Sequence, residues 1–558
     1  MAGVFATLMV ALAVVGGWRG YTAVPLWDMW PGTIGFLLAV RRGDWSIWWA
    51  PHNEHRIVLT RGLFWLDQYV FGGQSAFLIT MNYLLVALAA VLFGLLIREL
   101  AREGRLRVPA LALSLVATGL LFLWTQSENF IWAFQPQFFL AFVVPLLALY
   151  LLARSTTVSG STSFVLACVA GVASAGTMSN SLLTLPIMWL YSLFVLHTRQ
   201  RQIILFALSV VVTAAYLPGL SPVDSVNPAI RHGSFPGTLL AHPLSGAKFA
   251  LLYLGNPVAI LLGYDHVAKL SGAVAGGGLV IGILWLAWRE RRSPSVSPYV
   301  MALLALSGYV VLTAVVTSAG RLEFGIGAAL VSRYSTPAVV AWCAFLVLLA
   351  TVRVNFRHRP GPVMTTAAVT LVAVFLLQYQ ERALDAQDAV HATRDAVALA
   401  AELGVDDISL ISVEPAFEYA RSIAPEAERA DVSIFGHYPY KGLRQQLGQR
   451  LDDTTTTVCR GALDSPPQPV DDRFVRVTGW IVNPQTAAAP RLVRFVTPDN
   501  RIVGFALTGT PRPDVARVVG PAGATSGFHG YLLATANGLV TAVGDEPSCR
   551  LALETKVS

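Results

Sequence analysis

Long apolar runs separated by short polar or basic loops dominate the chain up to residue 380. A run of about 18 or more residues predicts a membrane-crossing helix, because ~20 helical residues span ~30 Å of hydrocarbon. The predicted crossings are Gly3–Gly17, Ala76–Leu96, Val108–Trp124, Phe138–Ala153, Val165–Met178, Leu182–Leu196, Ile203–Leu217, Leu270–Trp288, Tyr299–Ser318, Thr336–Val352 and Val363–Leu377. The pattern therefore predicts an α-helical polytopic membrane protein with about 11 spans.

The first apolar run is predicted to stay in the protein as a membrane span. A cleaved signal peptide would carry basic residues before its apolar core and small residues at its cleavage site. Gly3–Gly17 has no preceding basic residue, and the chain after Tyr21 is rich in Trp.

Four arginine clusters predict the orientation, because cytoplasmic loops of membrane proteins carry an excess of Lys and Arg. The clusters are Arg98, Arg102, Arg105 and Arg107; Arg199 and Arg201; Arg289, Arg291 and Arg292; and Arg353, Arg357 and Arg359. All four lie in the cytoplasm only if Lys248–Gly263 is a re-entrant or interface-lying helix rather than a crossing. The N-terminus is then predicted inside and the C-terminus outside.

The residues after 380 change to a mixed and then a strand-like pattern. Glu381–Leu403 has helical periodicity, Ile408–Ser412 resembles a strand, and short alternating runs follow from Thr457. Turn signals such as Asp499-Asn500 separate these runs, which is typical of a small β-sandwich. We therefore divide the chain into a transmembrane region 1–380 with a first outer loop 21–75, an extracytoplasmic connecting segment 381–455, and a β-sandwich 456–558.

The four cysteines fit this division. Cys168 and Cys343 lie in apolar runs and are interpreted as inert small hydrophobes. Cys459 and Cys549 lie in the first and last predicted strands of the tail. In an oxidising compartment we expect them to form a disulfide, with free thiols as the alternative.

Composition supports a lipid environment: 13% of the 558 residues are charged, against ~25% in soluble domains. The abundance of Ala, Val, Arg and Gly is typical of a GC-rich bacterial genome, so the expected location is the bacterial inner (plasma) membrane, with the tail periplasmic or otherwise extracytoplasmic. We expect membrane lipid as a partner and no nucleic acid.

Chemically active side chains concentrate in the first outer loop. Asp28 lies between Trp27 and Trp30, and His52, Glu54, His55 and Arg56 follow within one short segment. An acid beside interfacial Trp residues can be merely hydrated, but charged clusters next to lipid are usually functional. His52, Glu54 and His55 could also bind a divalent metal, although their spacing is not a strong ligand signature, so metal use is left open.

Two further polar groups are predicted on the same outer face. The first, at the end of the third span, comprises Glu128, Asn129, Gln135 and Gln137 among aromatic residues. This combination suits a carbohydrate, and the alternative is hydrogen bonding between membrane helices.

The second group comprises Arg321, Arg333 and Tyr334. The guanidinium groups of the two arginines suit a phosphate. The alternatives are ion pairs of Arg321 with Glu323 and of Arg333 with a loop acid. Arg231, His232 and Lys248 could add weakly to a phosphate site.

Together the three groups indicate a reaction on a lipid-linked phosphate substrate at the outer membrane interface. A carboxylate would deprotonate an acceptor hydroxyl, and arginines would stabilise the departing phosphate. The chain has no P-loop, GxSxG, dinucleotide-binding or HExxH motif, and Gly276-Gly277-Gly278 lies in an apolar run where helix packing explains it.

In layout, residues 1–380 resemble the GT-C superfamily of integral membrane glycosyltransferases. The resemblance depends on Asp28 after the first span, His52–Arg56 in the first loop, and Arg321 and Arg333. It implies an inverting transfer of a hexosyl or pentosyl group from a polyprenyl-phosphate sugar to a glycan or glycolipid. It further implies that Asp28 is the base or orients the acceptor, that Glu54 is the second acid, and that the β-domain binds carbohydrate.

The chain departs from the resemblance at one point. Many members have an adjacent acidic pair where this chain has Asp28 followed by Met29. Which acid is the base therefore stays open. Two other functions remain as alternatives: a transporter or flippase of a lipid-linked saccharide, and an O-antigen polymerase or ligase. The concentration of polar residues at one face rather than at mid-membrane argues against the transporter.

Overall fold

Helices make up most of the computed structural model, which describes residues 1–157, 160–195, 197–220, 235–353, 362–453, 455–536 and 538–555. In chain order the α-helices up to residue 385 are α1 (Ala2–Gly20), α2 (Phe36–Arg41), α3 (Val58–Val70), α4 (Ala76–Arg102), α5 (Ala110–Leu121), α6 (Ser127–Ile131), α7 (Pro136–Thr157), α8 (Gly160–Ser174), α9 (Thr184–Phe194), α10 (Arg199–Tyr216), α11 (Phe235–Ala241), α12 (Pro243–Leu254), α13 (Asn256–Leu262), α14 (His266–Arg291), α15 (Pro298–Arg321), α16 (Ser335–Leu349) and α17 (Pro362–Gln380).

The rest of the chain combines short helices with strands. Its elements are α18 (Asp388–Leu403), α19 (Phe417–Arg429), α20 (Leu443–Gln446), β1 (Arg460–Leu463), β2 (Gln468–Pro469), β3 (Phe474–Val482), β4 (Leu492–Val496), β5 (Ile502–Thr510), α21 (Pro513–Val519), β6 (Gly527–Leu533), β7 (Gly538–Gly544) and β8 (Cys549–Thr555).

The chain forms two compact units. The membrane unit comprises Met1–Tyr21, Trp48–Leu63 and Leu78–Asp385. The second unit comprises Thr22–Ile47, Phe64–Phe77 and Ala386–Ser558. The first outer loop is therefore divided, with two of its segments belonging to the same unit as the C-terminal tail.

Eight helical segments of the described chain are long and apolar enough to cross a membrane, and a ninth qualifies if a bent pair counts as one span. The eight are Ala2–Gly20, Ala76–Arg102, Ala110–Ile131, Pro136–Thr156, His266–Arg291, Pro298–Phe324, Ser332–Leu349 and Val363–Leu384. The protein is thus a multi-pass membrane protein, and the retention of its first helix stays a prediction.

The predicted number of 11 spans is not confirmed by the described residues, because three predicted crossings fall on helices that are short or carry charges. At ~1.5 Å per residue, α8 and α9 are about 22 Å and 16 Å long, short of ~30 Å of hydrocarbon. Helix α10 begins with two arginines in three residues, which lowers its mean hydropathy. Orientation stays a prediction.

The segment predicted to be re-entrant or interface-lying contains a broken helix. Helices α12 and α13 meet at an angle of 71°, the geometry of a broken span or a re-entrant loop. Gly255, at the break, lies against the backbone of Gly272, whose carbonyl oxygen would be 1.7 Å from an added Cβ. Gly276 similarly approaches the Leu251 carbonyl, so the predicted packing role of the glycine run holds for Gly276, while Gly277 and Gly278 border open space.

The second unit contains one antiparallel sheet in the order β1-β3-β6-β5-β4-β7-β8, with β2 also paired to β3. The predicted β-sandwich is therefore wrong in its layering: the strands form a single, nearly closed sheet, because every neighbour along this path is hydrogen-bonded. Helix α18 packs against β5 and β6 and ends at Gly404, whose left-handed conformation (φ 76°) caps it.

Two local features of the tail can be compared with prediction. Cys459 and Cys549 form a disulfide with Cα atoms 5.2 Å apart, joining the residue before β1 to the start of β8. Ile408–Ser412, predicted as a strand, is a 3₁₀ turn. The Asp407 carboxylate accepts hydrogen bonds from the backbone and hydroxyl of Ser409, which favours a turn over an extended strand.

Candidate functional site

A tight turn in the membrane unit presents Glu54. The backbone N–H of His52 donates to the carbonyl of His55 (2.7 Å), and that of His55 donates to the carbonyl of His52 (2.9 Å). Asn53 lies between them in the left-handed region (φ 50°), which Asn tolerates better than most residues. Because the turn is closed by two backbone hydrogen bonds, the side chain of Glu54 stands at its tip.

Glu54 is paired with Arg321, which lies at the end of α15. The guanidinium Nη2 of Arg321 is 2.6 Å from Oε1 of Glu54, and the two side chains are 31% and 39% exposed. The Nε2 atom of His55 is 3.7 Å from the same carboxylate oxygen. This cluster therefore combines a carboxylate, a guanidinium and an imidazole at a surface that solvent reaches.

The orientation of His55 is set by Ser179. Its Nδ1 lies 2.8 Å from the Ser179 hydroxyl and accepts a hydrogen bond from the Ser179 backbone N–H (3.3 Å). Because Nδ1 acts as an acceptor, the proton of the neutral ring is assigned to Nε2, which faces Glu54. Ser179 is a site residue that the sequence prediction missed, since only the fold brings it next to the first loop.

Arg56, predicted to bind substrate, is instead 3% exposed. Its guanidinium donates to the carbonyls of Tyr216, Trp49 and Pro218, and lies 5.0 Å from the centre of the Trp49 ring. Because its guanidinium donates to these three carbonyls, Arg56 connects the first outer loop to the end of α10.

A second ion pair joins Glu128 to Arg333, with Oε1 and Nη1 2.7 Å apart and both side chains partly exposed. The hydroxyl of Ser332 accepts from the backbone of Glu128 and donates to the carbonyl of Thr125. Both outer arginines are thus paired with a carboxylate. Arg333 pairs with Glu128, as the ion-pair alternative expected, whereas Arg321 pairs with Glu54.

The other predicted polar residues of the third-span group are buried. Asn129 is fully buried and donates to the Arg333 carbonyl (2.9 Å) and to the Thr336 hydroxyl (2.6 Å). Gln135 is fully buried and Gln137 is 5% exposed. Tyr334, from the predicted arginine group, is also buried (6% exposed), with its ring centroid 4.9 Å from that of Tyr253. Asn129 therefore holds helices together in this conformation, and the substrate-binding roles stay predictions.

His52 is the remaining residue of the first-loop prediction within the membrane unit. Its ring meets that of Phe134 edge-on, with centroids 5.1 Å apart. Arg231 and His232 lie outside the described residues, and Lys248 is exposed on α12.

Asp28 belongs to the second unit, whereas Glu54 belongs to the membrane unit. The residues around Asp28 are held by Glu414, which accepts hydrogen bonds from the backbone N–H of Trp27 (2.8 Å) and the indole Nε1 of Trp30 (3.3 Å). Burial raises the pKa of Glu414, and the nearby Asp28 carboxylate adds to the rise, while these hydrogen bonds oppose it. Glu414 is a second residue missed from the sequence, where it reads as an ordinary loop acid.

The donor atoms at Glu54 do not fit a divalent metal. The described residues contain no group of three His, Cys, Asp or Glu side chains placed to hold an ion. Glu54 and His55 offer two ligands, and the guanidinium of Arg321 already neutralises the carboxylate. A cation beside Arg321 would be repelled, so we derive no step through a metal.

No family model matches the chain, and no curated protein matches it.

Proposed function

We propose that the protein is a membrane glycosyltransferase, which transfers a sugar from a polyprenyl-phosphate donor to a glycan or glycolipid acceptor outside the cytoplasm. The observation that carries the proposal is the half-exposed pair of Glu54 and Arg321 at the end of α15 in a multi-pass membrane unit. A base and a phosphate-binding cation in contact are the two groups that this reaction requires.

The pair suggests how the groups act in turn. The donor phosphate competes with Glu54 for Arg321, because a guanidinium has five donors and binds phosphate oxygens in pairs. Glu54 is then released to accept the proton of the acceptor hydroxyl. The hydroxyl oxygen forms the new bond to the anomeric carbon, the carbon–oxygen bond to phosphate breaks, and the phosphate leaves with its negative charge on Arg321.

His55 and Ser179 have positioning roles in this proposal. With Nδ1 held by Ser179, the Nε2–H of His55 points toward the Glu54 carboxylate and favours one orientation of it. The pair of Glu128 and Arg333 is a second carboxylate–guanidinium group for a sugar hydroxyl or a phosphate oxygen. For Asp28, which belongs to the second unit, the role that the resemblance to GT-C enzymes implies stays a prediction.

The test is sugar transfer to a surface glycan in membranes containing Glu54→Gln or Asp28→Asn protein. We expect Glu54→Gln to lower transfer at least 100-fold with unchanged protein abundance, as for the loss of a general base. Asp385→Asn, which changes an exposed acid of the same unit, is the matched control. Full transfer by both test variants would refute the assignment of these acids.

A transporter of lipid-linked saccharide is the second candidate, because transporters use discontinuous helices such as α12–α13. Transporters leave polar groups at the break free for cargo. Here Asn256, next to the break, donates to the carbonyl of Ala329 (2.9 Å) and accepts from the hydroxyl of Ser335. Measuring lipid-linked sugar on each side of vesicles containing the protein separates transport from transfer.

A further inference from the structure

A groove of about 640 Å³ runs along the membrane unit between α9, α14 and α15. Its volume lies within the ~300–1,000 Å³ range of ligand sites. Its walls are almost entirely apolar, and a single charged side chain, that of Arg291, lines it. Neither the proposed reaction nor the Glu54 cluster involves it.

The groove is shaped by small residues on α15. Ala305, Gly308 and Leu312 are three and four positions apart, so they lie on one face of the helix. No atom lies within 4 Å of where a Cβ on Gly308 would be, so this position leaves open space in the groove wall. Aromatic rings of Phe194 and Trp288 line the part near Arg291.

Arg291 gives one end of the groove a positive charge. It ends α14, and its guanidinium carbon lies 6.0 Å from the centre of the Phe194 ring. No described carboxylate forms an ion pair with it, since the adjacent Glu290 bonds instead to Arg105 and to the backbone of Ser297. An apolar channel that ends at an unneutralised guanidinium has the chemistry of a phospholipid: a hydrocarbon chain with an anionic head.

We infer that this groove holds one acyl chain of an anionic membrane phospholipid, with its phosphate at Arg291. On α15 the lining residues run from Met301 to Leu312, about 16 Å at ~1.5 Å per residue. The hydrocarbon of one leaflet is about 15 Å thick, half of ~30 Å. The apolar lining thus has the length of the hydrocarbon of one leaflet.

The same geometry separates this lipid from a sugar donor. Arg321 ends α15, whereas the Arg291 end of the groove lies beside its beginning, so 24 residues or about 36 Å of helix separate them. A donor phosphate on Arg321 therefore occupies one leaflet and the phospholipid occupies the other. The inference does not depend on the proposed function.

The test is native mass spectrometry of the full chain, delipidated in detergent and mixed with dioleoyl phosphatidylglycerol, dioleoyl phosphatidylcholine or undecaprenyl phosphate. We expect phosphatidylglycerol to be retained at least fivefold more than phosphatidylcholine. Arg291→Ala and Gly308→Leu should each remove most of that retention. The matched controls are Arg199→Ala, an exposed arginine of another cluster, and Gly94→Leu, another helix glycine that borders open space.

Two results would overturn the inference. One is equal phosphatidylglycerol retention by Gly308→Leu and Gly94→Leu, or by Arg291→Ala and Arg199→Ala. The other is displacement of phosphatidylglycerol by an equal concentration of undecaprenyl phosphate, which would make the groove a donor site. Should Gly308→Leu fail to fold, Arg291→Ala decides the test, because that side chain is exposed.

Discussion

Buried polar side chains differ in kind between the two units. Inside the helical bundle of the membrane unit they are mainly amides and hydroxyls, such as Asn180 and Gln380, which bond to a tyrosine hydroxyl and to backbone groups. Glu290 is the one buried carboxylate among its described residues, and it lies at the end of α14 beside Arg105. The second unit instead buries several carboxylates, namely Asp67, Asp395, Glu402, Asp407, Glu414 and Glu428.

This difference follows from the surrounding solvent. A charge in the middle of a bilayer is costly, so neutral amides hold the helices together and charged groups collect at helix ends. Outside the membrane a carboxylate can be buried a short distance from water when hydrogen bonds or a cation stabilise it. The comparison therefore predicts that the free energy of unfolding of the second unit changes more with charge, pH and redox state than that of the membrane unit.

The largest effect on this comparison should come from the disulfide. Cys459 and Cys549 are 90 residues apart, and closing such a loop lowers the entropy of the unfolded chain, which raises the free energy of unfolding by about 4.6 kcal/mol. Cys549→Ser should lower the free energy of unfolding of the second unit by about that amount, measured by native-state proteolysis of the full chain. Cys168→Ser, at a free cysteine of the membrane unit, should change it little, and an equal loss in both variants would contradict the prediction.

The next effect concerns Glu414. Glu414→Ala leaves the donors of Trp27, Trp30 and Ala416 without their acceptor, and buried unpaired donors cost ~1–3 kcal/mol each. We expect the free energy of unfolding of the second unit to fall by about 3 kcal/mol, measured by the same proteolysis assay. Glu418→Ala, at an exposed acid of the same helix region, is the control. A loss below that of the control would show that the loop around Asp28 does not depend on this carboxylate.

The next effect, smaller for each unit of pH, should appear as pH rises. Burial, and then the neighbouring Glu428, raise the pKa of Glu402 from 4.5 to about 8. The folded chain therefore keeps a proton that the unfolded chain releases, and stability falls between pH 4.5 and about 8 by up to ~1.4 kcal/mol per unit. Glu402→Gln should flatten this slope in thermal unfolding of the full chain, while Glu418→Gln should leave it unchanged.

The smallest effect should be found in the membrane unit. The amide of Asn180 donates to the Tyr309 hydroxyl (2.9 Å), and such bonds between membrane helices contribute ~1 kcal/mol. Asn180→Ala should lower the free energy of unfolding of the membrane unit by about that amount, measured by denaturation of the full chain in detergent. Ser114→Ala removes a hydroxyl that bonds within its own helix and serves as the control. A loss of several kcal/mol from Asn180→Ala would contradict the contrast between the units.

Local pattern was enough for much of the fold. Apolar runs marked the helices that are long enough to cross a membrane, and alternation marked the region after Thr457 that forms the strands, because both periodicities follow from backbone geometry. The predicted crossings at α8, α9 and α10 are not confirmed, because α8 and α9 are shorter than a full span and α10 begins with two arginines. Sheet layering failed because the strand order depends on pairings between distant residues.

The candidate site was predicted by residue type but not by partner. Glu54 and Arg321 are 267 positions apart, so no local pattern connects them, and Arg321 was expected to have Glu323 as its alternative partner. The sequence also could not tell Asn129, which is enclosed by protein, from Glu128 next to it, which is partly exposed. The two adjacent positions differ in burial because both lie in α6, where successive side chains point about 100° apart around the helix axis.

By itself the sequence determined that the chain resides in a membrane and where its polar groups concentrate, since hydrophobicity and arginine position are properties of local composition. Tertiary structure decided which of those groups meet: Glu54 with Arg321 and His55, Glu128 with Arg333, and Glu414 with the residues flanking Asp28. It also decided that Arg56 is enclosed and that Gly308 opens a groove. Contacts between distant residues depend on the packing of whole helices, which local periodicity does not specify.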